Sequence, residues 1–256
     1  MPIDATDPTA PAALTSGEMH AGPGFRVRTS VDRSAAPLVE RFRAFPTPDV
    51  SDRMNRLFTM HHAIRPLTGD GLQLAGPAVT AKVFPGDNLM VHKAMAIAEP
   101  GDVIVVDTST SHMTAVLGDM ICTKALHRGV AGFIVDGLVR DLDAILELGS
   151  MPVFGRGTTP IGPLHRGPGE VNHPVSCGGV VVHPGDIVLA DADGVVVIPR
   201  DDAQAVLTDL EAGAEQAQRY GDAVRRGEFS NAWVDNTLAA EGLTPEEGPA
   251  ADGGTR

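Results

Sequence analysis

The stretch "DVIVVDTSTSHMTAVLGDMICTKALHRGVAGFIVDGLVRDLD", residues 102–143, decides the fold. Two apolar, β-branched runs, "DVIVVDT" and "AGFIVDG", are each followed by a loop and then by a helix-like pattern. The first helix ends at Gly129, a typical C′ residue. A right-handed strand–helix–strand crossover makes the two strands parallel. Both strands, ending near Asp107 and Asp136, therefore finish at the same edge of one sheet.

Four features meet at this edge, where open α/β sheets bind their ligands. The helix that starts after Gly118 points the amides of residues 118–121 at the edge, which favours an anion. The Arg140 guanidinium can bind a carboxylate with two hydrogen bonds. Asp119 and Asp141, without a cluster of His or Cys, suit Mg²⁺ better than Zn²⁺. The sequence therefore predicts a site for a small carboxylate and a divalent metal ion.

Each of these residues also has a plainer interpretation. Asp119 taken alone is typical of a helix N-cap, and Arg140–Asp141 taken alone is typical of an exposed ion pair. Because these residues share one edge of the sheet, the functional interpretation is supported as well as the plain one, but no better. Asp143 is interpreted as the cap of the next helix rather than as a third metal ligand.

The flanking sequence predicts α/β layers with a mixed sheet in a single domain. Helical patterns occupy 34–45, 47–57, 87–98 and 201–226, and the alternating run 74–84 predicts a strand. Residues 171–199 are short β-branched runs separated by Gly, Pro and Asp, which indicates strands and tight turns.

Three Pro-Gly-Asp turns recur, at 85–87, 100–102 and 184–186. The second and third lead directly into strands and are read as turn chemistry alone. The first leads into Asn88 and a helix that Asp87 or Asn88 can cap, so a functional role is more plausible there.

The composition excludes several classes of protein. The formal net charge is −13 and the pI about 5.0, which argues against a nucleic-acid partner. Two cysteines in 256 residues are too few for a disulfide framework. We find no signal-peptide pattern or apolar run of membrane-spanning length, so we expect a cytoplasmic protein. Residues 1–22 and 244–256 are predicted to be disordered extensions of a domain at 23–243.

The chain resembles the class II 4-hydroxy-4-methyl-2-oxoglutarate (4-carboxy-4-hydroxy-2-oxoadipate) aldolases and the related RraA-type regulators of ribonuclease E. Asp119, twenty residues (Met120–Val139) and then Arg140–Asp141 match the family's spacing. The segments "AGPAVTAKVFPGDN", "EPGDVIVVD", "RGVAGFIVDGLVRDLDAI", "PVFGRGTTP" and "VHPGDIVLADADGVVVIPR" are similar too. The resemblance covers about residues 48–227.

The resemblance implies a layered β/β/α swivelling-type fold and a role for each matching residue. Asp141 would bind Mg²⁺ or Mn²⁺ directly and Asp119 through water. A pyruvoyl group would bind Arg140 and the amides of the helix start. The residues assigned to substrate by the resemblance are Gly118, Asp119, Met120, Ile121, Arg140, Asn88 and His92, with Arg140 and Asp119 as the catalytic pair.

The implied activity is cleavage of a 4-hydroxy-2-oxo acid to pyruvate and a second oxo acid, with oxaloacetate decarboxylation beside it. A metal-bound or Asp119-held water is the candidate base. The family forms homotrimers, sometimes doubled to hexamers. The regulator branch lacks the first acidic position, which Asp119 keeps here. A non-catalytic regulator and a lyase for another oxo acid remain alternatives.

Two segments depart from the family pattern. One is Arg56–Leu67, where His61 and His62 are either pocket or surface residues, and the other is Leu164–Val175. These departures leave the leaving-group half of the substrate open.

Overall fold

The computed structural model of the chain describes residues 22–69 and 71–243. The chain forms two compact units that divide between Leu210 and Glu211. The described part of the second unit is mainly helical. The predicted extensions, 1–22 and 244–256, lie outside the described residues except for Gly22, so the boundaries of the 23–243 domain stay a prediction.

Each predicted helix is present, with somewhat shorter bounds. After a 3₁₀ turn at Ala36–Leu38, the described residues contain α1 (Val39–Phe42), α2 (Thr47–Arg53), α3 (Leu89–Ile97), α4 (Asp119–His127), α5 (Leu142–Glu147), α6 (Ala203–Arg225) and α7 (Ala232–Ala240). Gly129 has φ 74° and follows α4 as predicted. Its amide donates to Leu126, and the Val130 amide donates to Ala125, which is a Schellman closure. Helix α7 has no predicted counterpart.

The strands are short apart from one. They are β1 (Phe25–Val27), β2 (Arg65–Pro66), β3 (Leu74–Val83), β4 (Val103–Asp107), β5 (Gly132–Asp136), β6 (Leu138–Val139), β7 (Val153–Gly155), β8 (Gly157–Thr158), β9 (Gly169–Val171), β10 (Val175–Cys177), β11 (Val180–Val182), β12 (Ile187–Asp191) and β13 (Gly194–Ile198). The long strand, β3, organises the main sheet.

The main sheet is mixed, as predicted. The first half of β3 pairs antiparallel with β12, and its second half pairs parallel with β4. Strand β4 pairs parallel with β5, and β5 with β7, whereas β9 lies antiparallel to β3. Asp107 and Asp136 face each other in register at the ends of β4 and β5. The two strands therefore finish at one edge, as the crossover argument requires.

The sheet separates two apolar layers. On one face, Ile104 and Phe133 share a buried cluster with Val91 of α3 and Cys122 of α4. On the other face, alternate residues such as Val105 share a cluster with strands β10 to β13. This is the β/β/α arrangement that the family resemblance implies. None of the described helices combines the length and apolarity that crossing a membrane requires.

Each of the three Pro-Gly-Asp turns also holds a second segment, so the interpretation of the second and third as turn chemistry alone is incomplete. Asp102 accepts from the Glu99 amide (2.7 Å) in its own turn and from the distant Arg33 Nη2 (2.6 Å). Asp186 accepts from the His183 amide (2.8 Å) in its own turn and from the Arg200 amide (3.0 Å). Asp87 accepts from the Leu89 amide (2.8 Å) at the start of α3 and from the distant Arg166 amide (2.6 Å). The first turn differs from the other two in leading into a helix.

Candidate active site

A cavity of about 270 Å³ lies among the segments that follow β4 and β5. All eight residues predicted for the site line it, together with three that were not predicted. The eight are Asn88, His92, Gly118, Asp119, Met120, Ile121, Arg140 and Asp141, and the three are Leu117, Pro163 and His165. The structure thus brings the predicted residues together, while their chemical roles remain predictions.

The start of α4 forms one wall of this cavity. Gly118 is the N-cap residue and Asp119 is the first helical residue, so Asp119 is not the cap. The Ile121 amide donates to the Gly118 carbonyl at 3.2 Å, which removes it from the predicted set of free amides. The amides of Asp119 and Met120, which precede Ile121 in the first turn, have no intrahelical acceptor. These are the groups that can bind an anion.

The Arg140–Asp141 pair forms the adjoining wall of the cavity. Arg140 is fixed through its backbone, because its amide donates to the Leu117 carbonyl at 3.0 Å. The Arg140 Nε lies 3.2 Å from Asp141 Oδ2, and the two side chains are 44% and 38% exposed. Asp141 has φ 58° and ψ 38°, the left-handed conformation, which costs free energy in a residue other than glycine. Strain of this kind is typical of functional sites.

The predicted role of Asp143 as a helix cap is wrong. Helix α5 begins at Leu142, so the cap position is Asp141, and Asp143 lies within the first turn. The left-handed Asp141 turns the chain so that the helix begins at Leu142, which places Asp143 inside the helix rather than at its cap. The Asp141 side chain makes no capping hydrogen bond, so its carboxylate is available to the cavity.

Two glycines leave room for these charged groups. A Cβ atom at Gly118 would overlap Asp141 Oδ2, and one at Gly162 would lie 2.5 Å from Arg140 Nη1. Neither glycine has a positive φ. Close approach to Arg140 and Asp141, rather than backbone freedom, is therefore the reason for glycine at both positions.

Asn88 forms the third wall and is buried, with 2% exposure. Its Nδ2 donates to the Val116 carbonyl at 2.9 Å, and its Oδ1 lies 2.6 Å from His165 Nδ1. Asn88 precedes α3 without a side-chain capping bond, and Asp87 provides that bond instead. The Asn88 amide therefore joins the loop before α4 to His165.

His92 lies one turn further along α3. Its ring lies edge-on to that of His165, at an interplanar angle of 69° and with centroids 5.8 Å apart. Burial lowers the pKa of His92, as do the nearby His165 and Lys124, against an opposing effect of Asp87. His92 is thus held in its neutral form near pH 7.

Cys122, His61 and His62 take no part in the chemistry of this cavity. Burial, followed by the charge of Asp119, raises the pKa of Cys122 to about 12, so its thiol stays protonated near pH 7. His61 and His62 are exposed and stack on each other at 4.2 Å. Neither histidine lines the cavity, so of the two alternatives, pocket or surface, both are surface residues.

Comparison with known proteins places this geometry in a family. The family described as "RraA-like: Aldolase/RraA" matches residues 47–197, more than half of the chain. The chain belongs to the RraA-like family. One RraA-like relative, from Halalkalibacterium halodurans, is 44% identical over 66% of this chain and 80% of its own length. It is named "Putative 4-hydroxy-4-methyl-2-oxoglutarate aldolase".

Solved RraA-like structures share the fold. Streptomyces coelicolor RraAS2, described as an unusual member of the RNase ES inhibitor RraA family, has a TM-score of 0.68 and 31% identity over 75% of this chain and 99% of its own. The RNA-processing inhibitor RraA from Thermus thermophilis has a TM-score of 0.56 and 32% identity over 60% of this chain and 93% of its own. The RraA-like relatives of this chain therefore include proteins named as enzymes and proteins named as inhibitors.

The acidic residues of this RraA-like site suit one kind of metal ion. Within 22–69 and 71–243, no three His, Cys, Asp or Glu side chains converge to form a complete protein cage. Asp119 and Asp141 alone line the cavity as carboxylates. Mg²⁺ typically uses one or two carboxylates and keeps several waters, so this donor set fits Mg²⁺ or Mn²⁺ and not a closed Zn²⁺ site.

Proposed function

We propose that this protein is a divalent-metal-dependent lyase. It cleaves a 4-hydroxy-2-oxo acid to pyruvate and a second oxo acid, and it decarboxylates oxaloacetate through the same enolate. The observation that carries the proposal is the convergence of Asp119, Arg140 and a left-handed Asp141 on the start of α4 in one cavity. The name of the Halalkalibacterium relative supports 4-hydroxy-4-methyl-2-oxoglutarate as the first substrate to test.

Each wall of the cavity has a part in this reaction. Asp141 would hold Mg²⁺ or Mn²⁺ directly and Asp119 would hold it through water; the bound ion supplies a Lewis acid for the developing enolate. The amides of Asp119 and Met120 bind the substrate's C1 carboxylate. The Arg140 guanidinium, fixed by its backbone bond to Leu117, adds positive charge at the oxygen where negative charge develops.

The proposal is tested by pyruvate release from 4-hydroxy-4-methyl-2-oxoglutarate and from oxaloacetate, each with Mg²⁺, with Mn²⁺ and with EDTA. Metal-dependent pyruvate from the first substrate supports the aldolase. Pyruvate from oxaloacetate alone would indicate a lyase for another oxo acid. The absence of metal-dependent pyruvate from both would refute the lyase.

The second candidate is a protein-binding regulator of the ribonuclease-inhibitor type. The similarity to RraAS2 and to the Thermus protein favours it. Its test is inhibition of a ribonuclease E-type endonuclease by the purified chain. The retained Asp119 carboxylate in the cavity favours the lyase, because a binding surface alone does not require it.

We also propose a homotrimer, or a hexamer of two trimers, in the cytoplasm. Met120 and Leu164, at the cavity and beside it, are 63% and 67% exposed, as expected of apolar residues that another subunit covers. Light scattering would give three or six times the 26.7 kDa chain mass. A monomer would contradict this proposal.

A further inference from the structure

The segment that carries His165 is fastened to the Pro85-Gly86-Asp87 turn by its backbone. The Leu164 amide donates to the Gly86 carbonyl at 2.8 Å, and the Asn88 amide donates to the Leu164 carbonyl at 3.0 Å. The Arg166 amide donates to Asp87 Oδ2 at 2.6 Å. Both chain neighbours of His165 are therefore fixed, although the side chain itself is exposed. An exposed side chain needs no such support for packing.

The hydrogen bonds of Asn88 determine which nitrogen of His165 carries the proton. The Val116 carbonyl can only accept, so the NH₂ group of Asn88 faces it. Asn88 Oδ1 then faces His165 Nδ1 at 2.6 Å, and this oxygen can only accept. His165 Nδ1 is consequently the donor. In a neutral ring, Nε2 then has a free lone pair and can accept a proton.

We propose that His165, oriented by Asn88, is the general base that removes the C4 hydroxyl proton in the cleavage reaction. The inference rests on the proposed function, and it assigns the role of base to His165 instead of to a metal-bound or Asp119-held water. The pairing of a histidine with a hydrogen-bonded orienting group is the arrangement that general-base catalysis requires. The position of His165 supports the role, because it lines the cavity together with Arg140 and Asp119.

The step conserves atoms and electrons. His165 Nε2 takes the proton of the C4 hydroxyl, and the O–H pair becomes the second bond of the new C4 carbonyl. The C3–C4 bond breaks, and its electrons form the C2–C3 enolate of pyruvate. The second oxo acid leaves, C3 of the enolate takes a proton from solvent water, and His165 releases its proton to solvent, which restores the neutral ring.

The neighbour of His165 is compatible with this transient positive charge. His92, 5.8 Å away between ring centroids, is held neutral by its lowered pKa, so it does not add a second cation. Asp87 contributes a carboxylate near the His92 ring. The hydrogen bond between His165 Nδ1 and Asn88 Oδ1 leaves His165 Nε2 as the atom that takes the proton.

Oxaloacetate provides an internal control, because its decarboxylation breaks the C3–C4 bond without a C4 hydroxyl to deprotonate. His165→Ala should therefore lose about 100-fold or more in kcat for 4-hydroxy-4-methyl-2-oxoglutarate, the usual scale for a general base. It should keep oxaloacetate decarboxylation within about twofold, since that reaction needs no such base. Added imidazole should restore cleavage to the variant. His62 is also exposed but does not line the cavity, so His62→Ala is the matched control and should resemble the wild type.

A readout without catalysis tests the same assignment. In the ¹⁵N-histidine NMR spectrum of the metal-free protein, the His165 signal, identified by its loss in His165→Ala, should be that of the Nδ1–H tautomer. An Nε2–H tautomer would overturn the inference. So would cleavage that His165→Ala leaves unchanged, or equal losses with both substrates. A wild type inactive on both substrates would overturn the proposed function and this inference together.

Discussion

Gly118 and Asp141 are so close that a single Cβ atom at Gly118 would overlap the Asp141 carboxylate oxygen. Asp141 has a left-handed backbone conformation, with φ 58° and ψ 38°, so relief of this overlap falls on its side chain. The two residues come from different loops, after β4 and after β6. Their contact is the point at which those loops form a single site.

Gly118→Ala should therefore displace the Asp141 carboxylate and leave the fold intact. We expect metal affinity to fall by about tenfold or more, the scale on which supports of metal ligands act. Isothermal titration with Mn²⁺ measures this effect. Gly221→Ala is the control, because a Cβ there meets only Arg225 Nη2 at an ordinary 3.7 Å within a helix. It should leave Mn²⁺ binding unchanged, and normal binding by Gly118→Ala would refute the contact.

Asp141 combines a charge with a strained backbone, and two substitutions separate these properties. Asparagine tolerates the left-handed region and alanine does so poorly. Both variants should lose metal binding, but only Asp141→Ala should lose stability, by about 1 kcal/mol, through the backbone. Urea unfolding of the metal-free proteins measures the difference. Equal stability of the two variants would contradict the strain argument.

Asp87 is 3% exposed and fastens two segments, since it accepts from the Leu89 and Arg166 amides. Asp87→Ala should cost about 2 kcal/mol in the free energy of unfolding, because two part-buried backbone amides lose a charged acceptor. The loop that carries His165 should also loosen, so cleavage should fall more than oxaloacetate decarboxylation. Hydrogen exchange at the Arg166 amide, together with both assays, checks this prediction. An unchanged exchange rate would contradict it.

The stability of the protein should decrease in mild acid because of His173, which is 7% exposed. Burial lowers its pKa below the usual 6.5, as do Arg28 and Arg26, against an opposing effect of Glu170. Below pH 6.5 the unfolded chain therefore binds a proton that folded His173 resists, and stability falls with pH in that window. Thermal unfolding between pH 7.5 and pH 5 should show a smaller decrease for His173→Gln than for the wild type. Parallel curves for the two proteins would contradict the assignment.

The carboxyl-edge site could be predicted because handedness and strand polarity are local rules. The parallel strands β4 and β5 bring Asp119 and Arg140 to one edge whatever the rest of the chain does. The position of Asp143 could not be predicted, because the left-handed backbone of Asp141 depends on tertiary contacts. The spacing of apolar and polar residues does not indicate such a strained backbone conformation.

His165 lies outside what the sequence predicts for a different reason. It belongs to no helix or strand, and it reaches the site through Asn88, 77 residues earlier in the chain. A contact of that range has no periodic signal. The one available indication was that Leu164–Val175 departs from the family pattern, and His165 lies within that segment.

The most direct test of the account is the initial rate of pyruvate release from 4-hydroxy-4-methyl-2-oxoglutarate by the wild type and by Asp141→Asn, each titrated with Mg²⁺. We predict a saturable dependence on Mg²⁺ for the wild type and a rate at the EDTA background for the variant, with both proteins folded. A variant that keeps the wild-type rate and Mg²⁺ dependence would contradict the central claim that Asp141 holds the catalytic metal ion.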